Sequence, residues 1–171
     1  MSPFVALDFP SPEIGLFASC LQDATNEWRE ELGEVDPDTI VWQPFPNGHS
    51  IGALILHNAD VEAWWIEEVV AGKKRPDGEE RLLMSEETKQ YGVEWPAPPR
   101  QPLSWYFGIA DRIRASTLET LREIDDPDRI IQREDWSSPL NVRWIVNHVV
   151  GHEAYHGGQI VLVSLLKQKM G

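Results

Sequence analysis

Prolines and glycines divide this chain of 171 residues into four long segments that each have the apolar spacing of a helix. The chain contains 13 prolines and 12 glycines, and they are frequent in two connections, residues 34–49 and 73–101. Within the four segments, apolar residues recur every three or four positions, which is the period of one helix face. Four long helices joined by loops predict an all-α protein. We expect a four-helix bundle formed by a single domain over residues 1–171.

Local signals predict where these helices begin and end. Ser11, Ser50 and Asn141 are of the residue types that cap helix N-termini, and Gly33 and Gly72 are typical helix stops. The predicted helices cover residues 12–32, 51–71, about 103–123 and 142–169. Two shorter elements are also expected, a helix near Ser85–Tyr91 and an extended pair at Ile130–Ile131.

The charge and the cysteine content restrict the partners and the compartment. With 28 acidic and 15 basic residues, the formal net charge is −13, and such a surface repels nucleic acids and anionic lipids. No apolar run approaches the roughly 20 residues that cross a bilayer, and residues 1–12 lack the basic start of a signal peptide. The single cysteine, Cys20, cannot form an internal disulfide. We therefore expect a cytoplasmic protein that binds neither nucleic acid nor membranes.

Three histidines, His148, His152 and His156, lie at four-residue intervals on the last predicted helix. Residues four apart share a helix face, and this face also carries Ile145 and Val149, so it should point into the core. Burying imidazoles is costly unless each finds a partner, and metal coordination provides one. Eight residues span about 12 Å along a helix. One ion therefore binds either His148 with His152 or His152 with His156.

A third ligand is expected from His57, which shares a face of the second predicted helix with Leu54. Two histidines from one helix and one from a facing helix form a tripod with open coordination positions, which is typical of a catalytic metal. We therefore predict a divalent metal site formed by His57, His152 and His156. We interpret His148 as a residue that packs beside the ligands or orients them.

Residues 152–156, His-Glu-Ala-Tyr-His, also match the H-E-x-x-H motif of zinc peptidases, in which the glutamate is the general base. The extended motif needs Gly at 159 and His at 162, but Gln159 and Leu162 stand there. No acidic residue follows Glu153 that would complete the other common site, so a peptidase is disfavoured. Glu153 lies about 100° from His152 around the helix, and it fits a solvent-exposed residue as well as one that orients the site.

The motif is followed directly by Gly157, Gly158 and Gln159, and each of these three residues has a property that matters near a ligand. Gly157 and Gly158 each cost roughly 1 kcal/mol in a helix interior relative to alanine, so we expect them where a ligand or another backbone approaches closely. Gln159 follows His156 by three positions and should lie near the metal face. There it would orient a ligand or a bound water.

Two segments resemble motifs of the DinB/YfiT-like metalloenzyme superfamily. They are Asn147–Ile160, with the last-helix histidines, and His49–His57, at the start of the second helix; the tryptophan pair at 64–65 fits as well. The resemblance implies an up-down-down-up four-helix bundle, often a homodimer. It also implies a zinc or nickel site with one histidine from the second helix and two from the fourth. On this chain those ligands are His57, His152 and His156.

The resemblance implies a metal-dependent enzyme, and we expect first a thiol-dependent S-transferase that acts on small electrophilic molecules. A low-molecular-weight thiol such as bacillithiol, mycothiol or glutathione would be the co-substrate, held as a thiolate by the metal. His148 or Gln159 would orient the ligands, and Trp95 would wall the pocket. DNA binding, which the superfamily name suggests, has no support in the net charge of −13.

Two alternatives remain open at this point. One is a metal-dependent hydrolase of small amides or esters, with Glu153, Asp60 or Glu62 as the general base. The other is a non-catalytic, stress-related metal-binding bundle in which the ion only braces the helices. A structural site usually has four protein ligands, and the chain offers neither cysteine ligands nor an obvious fourth histidine.

Overall fold

The computed structural model describes residues 4–74, 95 and 97–170, and the regular structure of these residues is almost entirely helical. In chain order the elements are α1 (Pro12–Leu32), α2 (Pro37–Val41), α3 (Ile51–Glu62), a π-helical segment (Ala63–Val70), α4 (Leu103–Arg122), β1 (Ile130–Ile131), β2 (Leu140–Asn141) and α5 (Val142–Met170). The all-α prediction is confirmed. The short helix expected near Ser85–Tyr91 lies outside the described residues.

The predicted helix ends are confirmed by their capping contacts. The side chains of Ser11, Ser50 and Asn141 each accept a hydrogen bond from the backbone N–H three residues further on, at 3.4, 3.2 and 2.9 Å. Gly33 and Gly72 have φ values of +61° and +67°, which glycine adopts with least strain. Local chemistry therefore determines where these helices begin and end.

The second predicted helix changes type along its length. It is α-helical as far as Glu62 and continues as the π-helical segment to Val70, which differs from the regular helix expected over residues 51–71. The segment is mostly apolar, so its pattern does not separate the α-helical period from the wider π turn over eight residues. π turns occur frequently at functional sites. This one carries Trp64 and Trp65, whose ring centres are 4.5 Å apart.

Two short elements lie in connections that were expected to be mostly irregular. The N-terminus of α2 is capped by Asp36, whose carboxylate accepts the N–H groups of Asp38 at 2.9 Å and Thr39 at 3.1 Å. The Asp36-Pro37 pair was the available signal, but five residues are too few to show a helical period.

β1 pairs with β2 in antiparallel fashion, which confirms the extended conformation at 130–131 and adds a partner strand.

Helix α3 is the most enclosed element, and all twelve of its residues are buried. It packs against α4 and α5, while α1 packs chiefly against α5 and also touches α4. Polar side chains on α3 therefore face other helices instead of water. Among the described helices, none is both long enough and apolar enough to cross a membrane.

Candidate metal centre

The three histidines predicted as ligands lie together between α3 and α5. The Nε2 atoms of His57 and His152 are 3.0 Å apart, and one ring nitrogen from each of His57, His152 and His156 lies within 4.8 Å of the other two. His57 is fully buried, His156 is 2% exposed, and His152 is half-buried. We call these three residues the histidine cluster. His152 is its most accessible member.

Helix geometry explains why the cluster forms. His152 and His156 are one turn apart on α5, and residues at this spacing share a face. Their ring centres are 4.4 Å apart. Because α3 packs against α5, that face meets His57, whose ring centre is 4.8 Å from each of the other two.

The donor set and its spacing fit a divalent transition metal. Imidazole nitrogen is a good ligand for zinc and nickel. Zinc–nitrogen bonds of about 2.0–2.1 Å place two tetrahedral ligands roughly 3.3 Å apart, and the closest pair of nitrogens here is 3.0 Å apart. Three protein ligands leave a coordination position for water or substrate. The role of these histidines as ligands stays a prediction.

Gln159 lies where it can orient one of the three histidines. Its Oε1 is 2.6 Å from Nδ1 of His156. With this oxygen accepting, the imidazole proton sits on Nδ1, and Nε2 of His156 is the nitrogen that would bind a metal. The contact places Gln159 beside His156, and its role in orienting a ligand stays a prediction.

His148 lies beside the histidine cluster but outside it. Its ring is stacked on that of Trp144, with centres 5.1 Å apart and planes 5° apart, and its centre is 5.3 Å from that of Trp65. Toward the cluster, the ring centre of His152 is 5.9 Å away. Within the described part of the chain, the group that converges like a metal site comprises only the other three histidines.

Trp95, from the long connection before α4, packs against the ring of His57. The residue is 6% exposed, and its ring meets that of His57 edge-on with centres 5.2 Å apart. His49 lies 3.9 Å from Trp95 between ring centres. Burial lowers the pKa of His49, and the neighbouring His57 lowers it further. Trp95 thus has the position expected of a pocket wall.

Glu153 is buried, which corrects both its interpretation as a solvent-exposed residue and its expected role in orienting the site. It is 5% exposed, and its Oε1 accepts hydrogen bonds from Oγ1 of Thr25 at 2.6 Å and Nε1 of Trp28 at 2.8 Å. The offset of about 100° from His152 turns its carboxylate toward α1, away from the histidine cluster. Its partners lie more than a hundred residues earlier, so its own helix did not reveal them.

A buried arginine links Glu153 to α3. Arg114 on α4 donates to both carboxylate oxygens of Glu62, from Nε at 2.9 Å and from Nη2 at 2.8 Å, and its Nη2 is 3.8 Å from Oε2 of Glu153. We call Glu62, Arg114 and Glu153 the carboxylate–arginine cluster. Burial acts to lower the pKa of Arg114, but the two carboxylates outweigh burial and raise it. Arg114 was not predicted as a functional residue, although a basic residue between Ile113 and Thr117, which are both buried, was a signal.

The two glycines after His156 have different surroundings. A Cβ on Gly157 would lie 2.4 Å from Cδ1 of Trp28, whereas a Cβ on Gly158 would meet nothing within 4 Å in the described structure. At Gly157 the close neighbour is the indole side chain of Trp28 on α1, where a ligand or another backbone was expected. At Gly158 the approach of a ligand stays a prediction.

An all-α fold that encloses three convergent histidines is the arrangement expected for the DinB/YfiT-like class. Residues 16–163 match the family model described as mycothiol S-transferase, which is a DinB/YfiT-like family. Because the match spans most of the chain, the chain belongs to the mycothiol S-transferase family.

A comparison with solved structures supports the fold independently. The crystal structure of the conserved protein of locus from Enterococcus faecalis matches with a TM-score of 0.67 and 16% identity, covering 88% of this chain and 94% of that chain. At this identity the likeness establishes a shared fold alone. A search of curated protein sequences finds no significant match.

Proposed function

We propose that the chain is a metal-dependent S-transferase that joins a low-molecular-weight thiol to a small electrophilic molecule. The observation that carries the proposal is the convergence of three imidazole nitrogens within 4.8 Å of one another in the core. Membership of the mycothiol S-transferase family supports the thiol and makes mycothiol the first candidate. Bacillithiol and glutathione are the thiols to compare with it.

His57, His152 and His156 would hold a zinc or nickel ion, and three neutral ligands would leave its positive charge undiminished. When bound, the ion would supply the charge that keeps the thiol sulfur deprotonated at neutral pH. The thiol proton goes to solvent, the sulfur forms a bond to the electrophilic carbon, and the leaving group departs with the bonding pair. Gln159 holds the proton on Nδ1 of His156, and Trp95 excludes water from one side of His57.

The two alternative functions have less support. A hydrolase needs a free general base, but Glu62 and Glu153 are both paired with Arg114. Asp60, the third candidate, is buried. A non-catalytic, stress-related bundle braced by metal would need a fourth protein ligand, and the group found among the described residues has three.

We further propose that the helices form an up-down-down-up four-helix bundle, a single domain over residues 1–171, in a cytoplasmic homodimer. The packing of α1 against α5 and of α3 against α4 supports the bundle. An exposed row on α5, in which Tyr155, Leu162 and Leu165 are 66%, 54% and 50% exposed, supports a dimer interface. The net charge of −13 supports a small-molecule substrate over nucleic acid or a membrane.

The metal is tested first, by elemental analysis of tag-free protein and of four variants. We expect about one ion per chain in the native protein, lost in His57→Ala, His152→Ala and His156→Ala and kept in His148→Ala. His148→Ala is the matched control because it removes a histidine from the same face of α5. If His148→Ala loses the ion and His156→Ala keeps it, His148 is a ligand in place of His156. No zinc or nickel in any sample, even after incubation with either metal, would overturn the proposal.

The reaction is tested with the metal-loaded protein and a panel of thiols. Mycothiol, bacillithiol and glutathione are each incubated with 1-chloro-2,4-dinitrobenzene, and mass spectrometry measures the conjugate and the released chloride. We expect conjugation with one thiol, lost after metal removal and in His152→Ala. If the metal-loaded protein conjugates none of the three thiols, either to this electrophile or to an alkyl halide, the proposed transferase activity is wrong. Amide and ester substrates would then be tested.

A further inference from the structure

Aromatic rings continue from the histidine cluster along both helices that form it. On α5, Trp144 and His148 precede His152 at four-residue intervals, and so they extend the same face. On the facing side, Trp65 follows His57 by eight residues and lies in the π-helical segment. Ring centres are 5.9 Å apart between His152 and His148 and 5.3 Å apart between His148 and Trp65. The facing sides of these elements are therefore aromatic beyond the histidine cluster.

At the end of this row, four tryptophans group around Trp65. We call Trp64, Trp65, Trp136 and Trp144 the tryptophan cluster. The ring centre of Trp65 is 4.5 Å from that of Trp64, 5.6 Å from that of Trp136 and 5.8 Å from that of Trp144. None of the four residues is fully buried, and Trp144 is 44% exposed.

Among the eight tryptophans only Trp144 is exposed, and Trp42 and Trp105 are half-buried like the other three members of the tryptophan cluster. Trp28 and Trp95 are 5% and 6% exposed, as expected for large apolar side chains that stabilise a core. The tryptophan cluster instead keeps indole surface accessible directly beside the histidine cluster. A group of accessible aromatic residues next to a reactive centre is a typical ligand-binding surface.

The chemistry of indole indicates which ligand suits this surface. The face of an indole ring is electron-rich and attracts positive or electron-poor groups. One such contact is already present, because the guanidinium of Arg133 lies 5.7 Å from the ring centre of Trp64 and 6.0 Å from that of Trp136. Trp144 is the most exposed member of the cluster; one face of its ring is stacked on His148, and its other face would be the platform for a planar electron-poor ring. Electron-poor arenes are also carbon electrophiles that thiolates attack.

We propose that the tryptophan cluster and His148 bind the planar, electron-poor aromatic part of the electrophilic substrate. This inference rests on the proposed transferase function and names its substrate class. Trp144 and His152 are eight residues apart, about 12 Å along α5, and His148 lies between them. A substituted aromatic molecule that stacks in this region extends its reactive carbon toward the histidine cluster. There the sulfur–carbon bond forms, and a halide leaves with the bonding pair.

Binding is measured without catalysis, using metal-stripped protein and 1,3-dinitrobenzene, which has no leaving group. Equilibrium dialysis should give a Kd that rises about tenfold in Trp144→Leu and in Trp65→Leu, the effect expected when a stacking partner is lost. Trp144→Phe should restore most of the affinity, because a ring is retained. Trp105→Leu is the control, since Trp105 is half-buried on α4 and outside the tryptophan cluster. Cyclohexanol, a saturated ring of similar size, should bind about tenfold more weakly than the arene.

The same variants separate this inference from the proposed function. In the loaded enzyme, Trp144→Leu should raise the KM for 1-chloro-2,4-dinitrobenzene about tenfold and leave kcat within about twofold. Conjugation with unchanged KM and unchanged Kd in Trp144→Leu and Trp65→Leu would overturn the inference and leave the transferase intact. Equal binding of cyclohexanol would overturn the aromatic specificity. Tryptophan-dependent arene binding without conjugation would reject the transferase and keep the binding surface.

Discussion

Two polar clusters lie inside the same helical core, and they differ in the chemistry of their side chains. In the carboxylate–arginine cluster, Glu62 and Glu153 face Arg114 from two other helices, so opposite charges meet within the protein. In the histidine cluster, three imidazole rings converge from α3 and α5, and one ring nitrogen of each lies within 4.8 Å of the other two. One cluster joins a cation to two anions. The other brings three possible metal ligands to a common point.

The difference indicates separate tasks for neighbouring residues. His152 and Glu153 are adjacent, yet a turn of about 100° per residue sends one toward α3 and the other toward α1 and α4. The carboxylate–arginine cluster connects α1, α3, α4 and α5 through hydrogen bonds and an ion pair, and so it sets how these helices pack. The histidine cluster is then positioned to bind a ligand, because its geometry is held by contacts elsewhere.

The largest expected effect comes from removing the cation of the carboxylate–arginine cluster. Arg114→Met leaves two carboxylates buried without their partner, and the free energy of unfolding should fall by about 3–5 kcal/mol. Urea titration of the metal-free protein measures it. By contrast, His152→Leu in metal-free protein should change stability by about 1 kcal/mol, the typical net value of one hydrogen bond.

Arg112→Met is the matched control for this comparison, because Arg112 is exposed on the same helix. It should change the unfolding free energy by less than about 0.5 kcal/mol. If Arg114→Met and His152→Leu destabilise the metal-free protein equally, the division of tasks between the two clusters is wrong.

A smaller effect is expected where α5 approaches Trp28, which donates to Glu153. Gly157→Ala places a methyl group against the indole, at a position where Cβ would be 2.4 Å from Cδ1 of Trp28. Stability should fall by about 1–3 kcal/mol, as for other overpacked cores. Gly158→Ala has open space and should instead stabilise α5 by up to about 1 kcal/mol. Thermal unfolding of both variants gives opposite shifts in Tm; shifts of the same sign would contradict the geometry.

The smallest effect is expected from a substitution beside the histidine cluster. It should weaken zinc binding and leave the free energy of unfolding unchanged. Gln159→Leu removes the acceptor 2.6 Å from Nδ1 of His156. Affinity for zinc should fall about tenfold, or about 1.4 kcal/mol, as for other residues that orient metal ligands. Competition with a chelator measures it. Gln168→Leu, on the same helix but far from the histidines, should not change the affinity. If it weakens zinc binding as much, the contact with His156 is not the cause.

Glu153, for which the sequence left open a solvent-exposed residue and one that orients the site, shows where prediction from sequence ends. A charged residue on a helix is usually solvated, and nothing within a few positions of Glu153 indicates otherwise. Its burial becomes favourable because Thr25, Trp28 and Arg114 reach it from two other helices. The π-helical segment is a similar case, since the mostly apolar run AWWIEEVV suits either kind of turn.

Helix ends and the spacing of the histidines follow from local chemistry, because they depend on residues at most four positions apart. A cap such as Ser50, a stop such as Gly72 and the interval between His152 and His156 are readable in the chain itself. The meeting of His57 with His152, 95 positions apart, and the pairing of Arg114 with two carboxylates depend on how whole helices pack. The chain shows which side chains are able to bind a metal or a charge, and the packing decides which of them have a partner.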